Sequence, residues 1–180
     1  MDTPKLFPSQ QPDEKIILVV REHWFRLFIK IFVVALLSLL PNIAKALLVG
    51  SSIIDRSDTA VGIVNTLFSV YYLGLLVALF IIFILYYLNL HIVSEERIVD
   101  IDQVGLLYHR VSELNIETIE DVSSQTKGLF GNFLNYGTVF IQTAGATERF
   151  QFENVPNPES IATIILGLYE KHSGKEMPKP

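Results

Sequence analysis

Residues 61–90 read VGIVNTLFSVYYLGLLVALFIIFILYYLNL and carry no charged side chain. The reading of these thirty residues decides what kind of protein the chain makes. A bilayer core is crossed by about 20 apolar residues in a helix, and the most apolar part, 67–88, is long enough. A core helix inside a soluble protein seldom runs so far without a charge. Tyr71 and Tyr72 toward one end, and Tyr86 and Tyr87 toward the other, suit the aromatic belts of membrane–water interfaces. The expectation is a spanning helix at about 63–90.

Working back from it, FRLFIKIFVVALLSLLPNIAKALLVG (25–50) is a second apolar run. Lys30 and Lys45 lie near its two ends, where long stems let an ammonium group reach the headgroups. Pro41 lacks a backbone donor and is expected to kink the helix or break it late. The run is too long, and begins too far into the chain, for a cleaved signal peptide. Between the spans lies SSIIDRSDTA.

Lys15, Arg21 and Arg26 precede the first span, whereas the connecting loop offers Arg56. The positive-inside bias therefore expects the N-terminus in the cytoplasm, and two crossings return the C-terminal half there. Trp24 lies beside Arg21, His23 and Arg26, where an interfacial anchor would sit; it also opens the first helix. The organisation expected is a cytoplasmic segment at 1–24, a transmembrane hairpin at 25–90, a soluble α+β domain at 91–172 and a flexible tail at 173–180.

Charge follows the same division. Residues 27–90 hold five charged side chains, Lys30, Lys45, Asp55, Arg56 and Asp58, against a net charge of -5 for the whole chain. The absence of cysteine removes disulfides, thiolate metal sites and cysteine nucleophiles.

After Leu90 the long apolar runs give way to short alternating ones rich in β-branched residues. Strands are expected near 89–94, 97–102, 105–110, 112–116 and 119–126. Others follow in GTVFIQTAG (137–145) and around Phe150 and Phe152, with AGAT as a turn between them. A helix then starts at Asn157 as N-cap, with Pro158 at the first position and Glu159 at the positive end. Ile161, Ile164, Ile165 and Leu168 form its apolar stripe. Lys171 and His172 sit at the negative end, and Gly174 ends it. One helix packed on a small, bent antiparallel sheet or barrel is the fold class expected.

The segments VSEERIVDIDQVGLLYHRVSELNIETIEDV, KGLFGNFLNYGTVFIQTAG and FENVPNP resemble bacterial membrane proteins with two transmembrane helices and a pleckstrin-homology-like (PH-like) domain. The resemblance covers about 15–172. It implies a bent sheet or barrel capped by one C-terminal helix, and a bacterial plasma-membrane location. Phosphoinositide-binding members of the wider PH class cluster Lys and Arg in the turn between the first two strands. Here that turn reads SEERI, two glutamates against Arg97, so the resemblance does not extend to inositol lipids.

KGLFGNFLNYG (127–137) is rich in glycine and large apolar residues and carries a single charge. Its GLFG matches a bare G-x-x-G nucleic-acid clamp. Residues 91–172, however, hold five basic and twelve acidic side chains, a balance that repels phosphate. A phosphate-cradling P-loop is excluded because Gly137 precedes Thr138 and Val139. Two readings remain. In the first, which is the expectation carried forward, Gly128, Gly131 and Gly137 make tight turns while Leu129, Phe130, Phe133 and Leu134 fill the barrel end. In the second, Lys127, Leu129, Phe130 and Phe133 form a contact loop toward lipid, the hairpin or a protein.

Candidate chemistry is sparse. His23, His91, His109 and His172 have no zinc-site spacing. Glu113, Glu117, Glu120 and Asp121 read as a solvated strand face. No nucleophile motif occurs. The functional expectation is a non-enzymatic integral membrane protein that binds no cofactor, metal or nucleic acid. It would present a PH-like domain to a protein partner or to a second copy. An accessory subunit of a membrane enzyme or transporter, and a lipid-sensing module, are the alternatives. Trp24, Tyr86 and Tyr87 are the interfacial anchors.

Overall fold

The computed structural model describes residues 7, 9–11, 13–50, 58–103, 105, 107–143 and 150–174, the side chains of 48–50 excepted. The loop with Arg56, the AGAT turn and the tail beyond Gly174 lie outside the described residues. The chain forms two compact units, residues 24–85 and residues 1–23 together with 86–180.

The first unit is helical. α1 (Trp24–Leu37) and α2 (Leu40–Gly50) are separated by a turn at Ser38 and Leu39, and α3 (Asp58–Leu88) is continuous. Two helical stretches, Trp24–Leu47 and Asp58–Leu88, are long and apolar enough to cross a membrane. At 1.5 Å per residue the 31 residues of α3 extend about 46 Å. The break before α2 follows from Pro41, which cannot donate to the carbonyl four residues back. That carbonyl belongs to Leu37, and it accepts instead from the Tyr71 hydroxyl at 2.9 Å. The Ser38 carbonyl accepts from the Tyr72 hydroxyl at 3.2 Å, and Asn42 Nδ2 donates to the same hydroxyl oxygen at 3.2 Å. Tyr71 and Tyr72, read from sequence as interface residues, fall mid-helix and repair the backbone at the break.

Among the described residues the second unit holds seven strands and two further α-helices. β1 (Ile16–Val20), β2 (Leu90–Ser94), β3 (Arg97–Gln103) and β4 (His109–Asn115) form one antiparallel sheet in that order. A 3-10 turn (Ile116–Thr118) leads to β5 (Ile119–Gln125), then α4 (Gly128–Leu134), β6 (Tyr136–Thr143) and β7 (Phe150–Pro156). These last three strands make a second sheet, and α5 (Pro158–Ser173) packs against β5 and β6.

The core lies between sheets and helix. Val93, Ile98, Ile116, Val139, Ile141, Phe152, Val155 and Ile165 are completely enclosed there. On β6 the burial alternates, with Gly137, Val139 and Ile141 inside, as the period of a strand requires.

Three details differ from the sequence reading. Residues 16–20, assigned no element there, supply an edge strand. The two short strands expected at 105–110 and 112–116 are one, β4, preceded by a turn in which the Gly105 N–H donates to the Tyr108 carbonyl. The buried face of α5 is Ile161, Ala162, Ile165 and Leu166; Ile164 faces outward, because the helix rests on the sheet through Ala162.

The topology has an unanticipated consequence. Val20 is the cross-strand partner of His91 and Val19 that of Ile92. Residues 21–89, with α1, α2 and α3, are therefore an insertion between two hydrogen-bonded neighbours of one sheet.

Candidate functional site

The end of the domain where this insertion begins and returns is tightly built. The His23 N–H donates to the Asn154 carbonyl at 2.7 Å, and the buried His23 ring stacks on Tyr136, centroids 5.1 Å apart. Burial holds the His23 pKa below the ordinary histidine value. Where the chain returns, in the last turn of α3, the Tyr86 hydroxyl donates to the Glu22 carbonyl at 3.1 Å, and the Arg21 guanidinium lies 5.5 Å from the centre of the Tyr87 ring. Asn89 Oδ1 accepts from the Gln103 N–H at 2.6 Å. Tyr86 and Tyr87 thus belong to the fastening of the domain as well as to the end of α3. Trp24, in the other unit, is more than half exposed and packs edge-on against Phe25 and Phe28.

Asparagines in the left-handed conformation gather beside this fastening. Asn135 closes α4 and Asn157 opens α5; both have positive φ, as does Asn154. The expected side-chain cap from Asn157 to α5 is not made. Its Oδ1 accepts from Asn135 Nδ2 at 2.6 Å, and its N–H donates to the Asn135 carbonyl at 2.9 Å. The end of α4 is thereby locked to the start of α5.

α4 itself corrects the reading carried forward from sequence. Leu129 is 88% exposed, Phe133 86% and Phe130 63%, so these side chains do not fill the barrel. Gly131 is the residue α4 buries. A Cβ there would stand 3.2 Å from the Tyr136 carbonyl oxygen and 3.3 Å from Thr126 Cγ2. The helix lies down on its smallest residue and turns its largest outward. Lys127, ahead of it, is exposed as well.

The turn between β2 and β3 is polar and already engaged. Glu14, its side chain fully enclosed, accepts from Ser94 Oγ at 2.5 Å and lies 3.2 Å from Arg97 Nε. Arg97 also reaches Glu113 at 3.3 Å and Glu96 at 3.6 Å. Burial acts to lower the Arg97 pKa, but Glu14, Glu113 and Glu96 outweigh it and leave the group above its ordinary value. Gln11 Nε2 donates to Glu96 at 3.0 Å, and Ser9 Oγ donates to Glu113. The N-terminal segment thus covers this turn. The SEERI turn joins the second and third strands, not the first and second as read from sequence.

A groove of about 420 Å³ opens between the two sheets, lined by Glu22, Asp100, Asp102, Glu153, Arg110 and Gln151 among others. His91 borders it but is committed, with Nδ1 2.8 Å from Asp100 Oδ1 and its ring stacked 4.4 Å from that of Phe152. Carboxylates outnumber cations, which disfavours a phosphate ligand. Among the described residues no cluster of histidines and carboxylates has the arrangement of a metal site.

A family model described as "Bacterial PH domain" matches residues 26–169. The chain belongs to the bacterial PH domain family. A search of solved structures finds a DUF1696-family protein with a pleckstrin-homology domain from Shewanella loihica PV-4. It is 14% identical, with 45% of this chain and 70% of that chain covered and a TM-score of 0.38. Among curated proteins none matches. In this bacterial PH domain protein the first two strands are joined through residues 21–89, which hold the apolar helices.

Proposed function

We propose that this bacterial PH domain protein is a non-enzymatic integral protein of the bacterial plasma membrane. It crosses the bilayer twice, keeps both termini in the cytoplasm, and presents its PH-like domain there to a protein partner or a second copy. The pairing of Val20 with His91 carries the reading. Two strands of one sheet lie on one side of any membrane, so the segment between them crosses an even number of times. Two stretches of sufficient length and apolarity meet that condition, and Lys15, Arg21 and Arg26 select the cytoplasmic side.

β1 is the edge strand of its sheet, with no second strand on its outer side among the described residues. It holds Ile17 and Val19 in the open. Such an edge accepts an added strand from another chain, with main-chain hydrogen bonds for affinity and alternate side chains for choice of partner. Confinement to the membrane plane raises the local concentration of that partner. Lys127, Leu129, Phe130 and Phe133 are a second contact surface, and Trp24, Tyr86 and Tyr87 hold the interface. Arg97, engaged by three carboxylates, is no phosphate ligand.

A photo-crosslinking residue at position 19 in living cells tests the contact. Capture of one discrete protein, or of this chain, is the expected result; capture of nothing from position 19 overturns it. Sidedness is read separately, since the chain has no cysteine of its own. A cysteine replacing Glu117 is expected to resist an impermeant thiol reagent in intact cells. Labelling there would place the domain outside.

A further inference from the structure

We propose that the outer face of α4 dips into the headgroup–acyl boundary of the bilayer, with Leu129 and Phe133 as the inserted side chains and the β3–β4 turn at Leu107 as a second point of entry. The proposal rests on the membrane-spanning reading above.

The placement comes from the domain alone. α4 ends at Asn135, and the next residue, Tyr136, stacks on His23, the last residue before α1. The β3–β4 turn follows Gln103, whose N–H is held by Asn89, the residue between α3 and β2. Both protrusions therefore flank the point where the chain leaves the domain for its apolar helices and returns from them. Leu107 is fully exposed and Tyr108 beside it more than half exposed.

The chemistry of the α4 surface fits lipid better than protein. Its two most exposed side chains are a leucine and a phenylalanine, borne on a helix seated by a glycine. They project outward and take no part in lining the groove between the two sheets. Lys127 is the single charge in residues 127–137, and a lysine stem can lie along the apolar layer with its ammonium among headgroups. A domain this acidic gains nothing from anionic lipid, so entry depends on apolar burial and not on headgroup recognition. Insertion at this point would fix how the domain stands on the membrane.

The test uses the full chain reconstituted in phosphatidylcholine vesicles. Single cysteines replace Leu129, Phe133, Glu117 or Leu76 in turn, and each carries an environment-sensitive fluorophore. Glu117 marks the opposite end of the domain, beyond the Arg97–Asn115 end of the β3–β4 ladder; Leu76 marks α3. Probes at 129 and 133 are expected to emit to the blue of the probe at 117. They should be quenched severalfold more by nitroxide lipid than by aqueous iodide, and adding phosphatidylglycerol should leave the ratio unchanged. Quenching at 129 and 133 by iodide as at 117 overturns the proposal. So does shielding from both quenchers, which assigns the surface to a protein contact. Lipid quenching at 76 without it at 133 rejects the α4 contact and keeps the membrane reading. Iodide quenching at 76 rejects both.

Discussion

Gly137 is where a single methyl group does the most damage. A Cβ there would lie 2.3 Å from the Gln125 carbonyl oxygen, backbone against backbone across the β5–β6 pair. Neither strand can retreat without disturbing the core behind Val139. Gly137→Ala is expected to destabilise the domain by about 3 kcal/mol, the upper range of overpacking costs. Gly128 is the contrast. Its φ is +78°, but a Cβ there meets nothing within 4 Å. Gly128→Ala should cost about 1–2 kcal/mol, the torsional penalty alone. Chemical denaturation of the two variants in detergent checks the order. His23 adds a pH dependence at the same scale. Its folded pKa is depressed by burial, so its contribution to stability is present above the unfolded value, about 6.5, and is lost as pH falls through the folded value. Thermal unfolding followed from about pH 8 to about pH 5 should show this loss, and His23→Gln should flatten the part that His23 supplies.

At the scale of elements, the break between α1 and α2 depends on hydroxyl groups from α3. Tyr71→Phe and Tyr72→Phe each leave a carbonyl in an apolar helical unit without its donor. Polar contacts between membrane helices average well under 2 kcal/mol, so each variant should lose roughly 1 kcal/mol. The pair should be less than additive, because the two carbonyls are adjacent and Asn42 already bonds Tyr72. Unfolding of the single and double variants in mixed micelles measures both. The same elements show how far the sequence could be read. Charge-free length exposed the helices, and Pro41 exposed a break, since both effects are local. The partners of the freed carbonyls lie some thirty residues away, and periodicity carries no trace of them. In α4 the spacing of Phe130, Phe133 and Leu134 fits a helical turn, but does not say which side faces inward. Gly131 settled that, because only a residue without a side chain lets the helix approach Tyr136 and Thr126. β1 was missed for a related reason. IILVV has the β-branched composition of a strand, yet its partner comes after the whole hairpin, so no turn signal joins them.

At the scale of the molecule, the insertion divides the chain into two units whose integrity can be tested apart. Replacing residues 24–88 by a short Gly/Ser linker joins β1 to β2 as an ordinary hairpin and removes the apolar helices. The product is expected to be water-soluble, monomeric at low concentration and cooperatively unfolding. Residues 89–180 alone lack β1 and the segment that covers Arg97, and should fail to unfold as one transition. Circular dichroism and calorimetry separate the two constructions. If both behave alike, β1 is dispensable and the fold described above is incomplete without it only in appearance.

The order of the strands also bears on how the protein is made. β1 leaves the ribosome before either long helix, and β2 leaves it after both. Under the membrane-spanning arrangement proposed above, the sheet closes only when both apolar stretches have been placed and the chain has come back to the side on which it started. Completion of the domain is therefore a molecular receipt for correct insertion. A chain whose hairpin goes astray keeps β1 as a bare apolar strand, the kind of segment that chaperones and quality-control proteases seize.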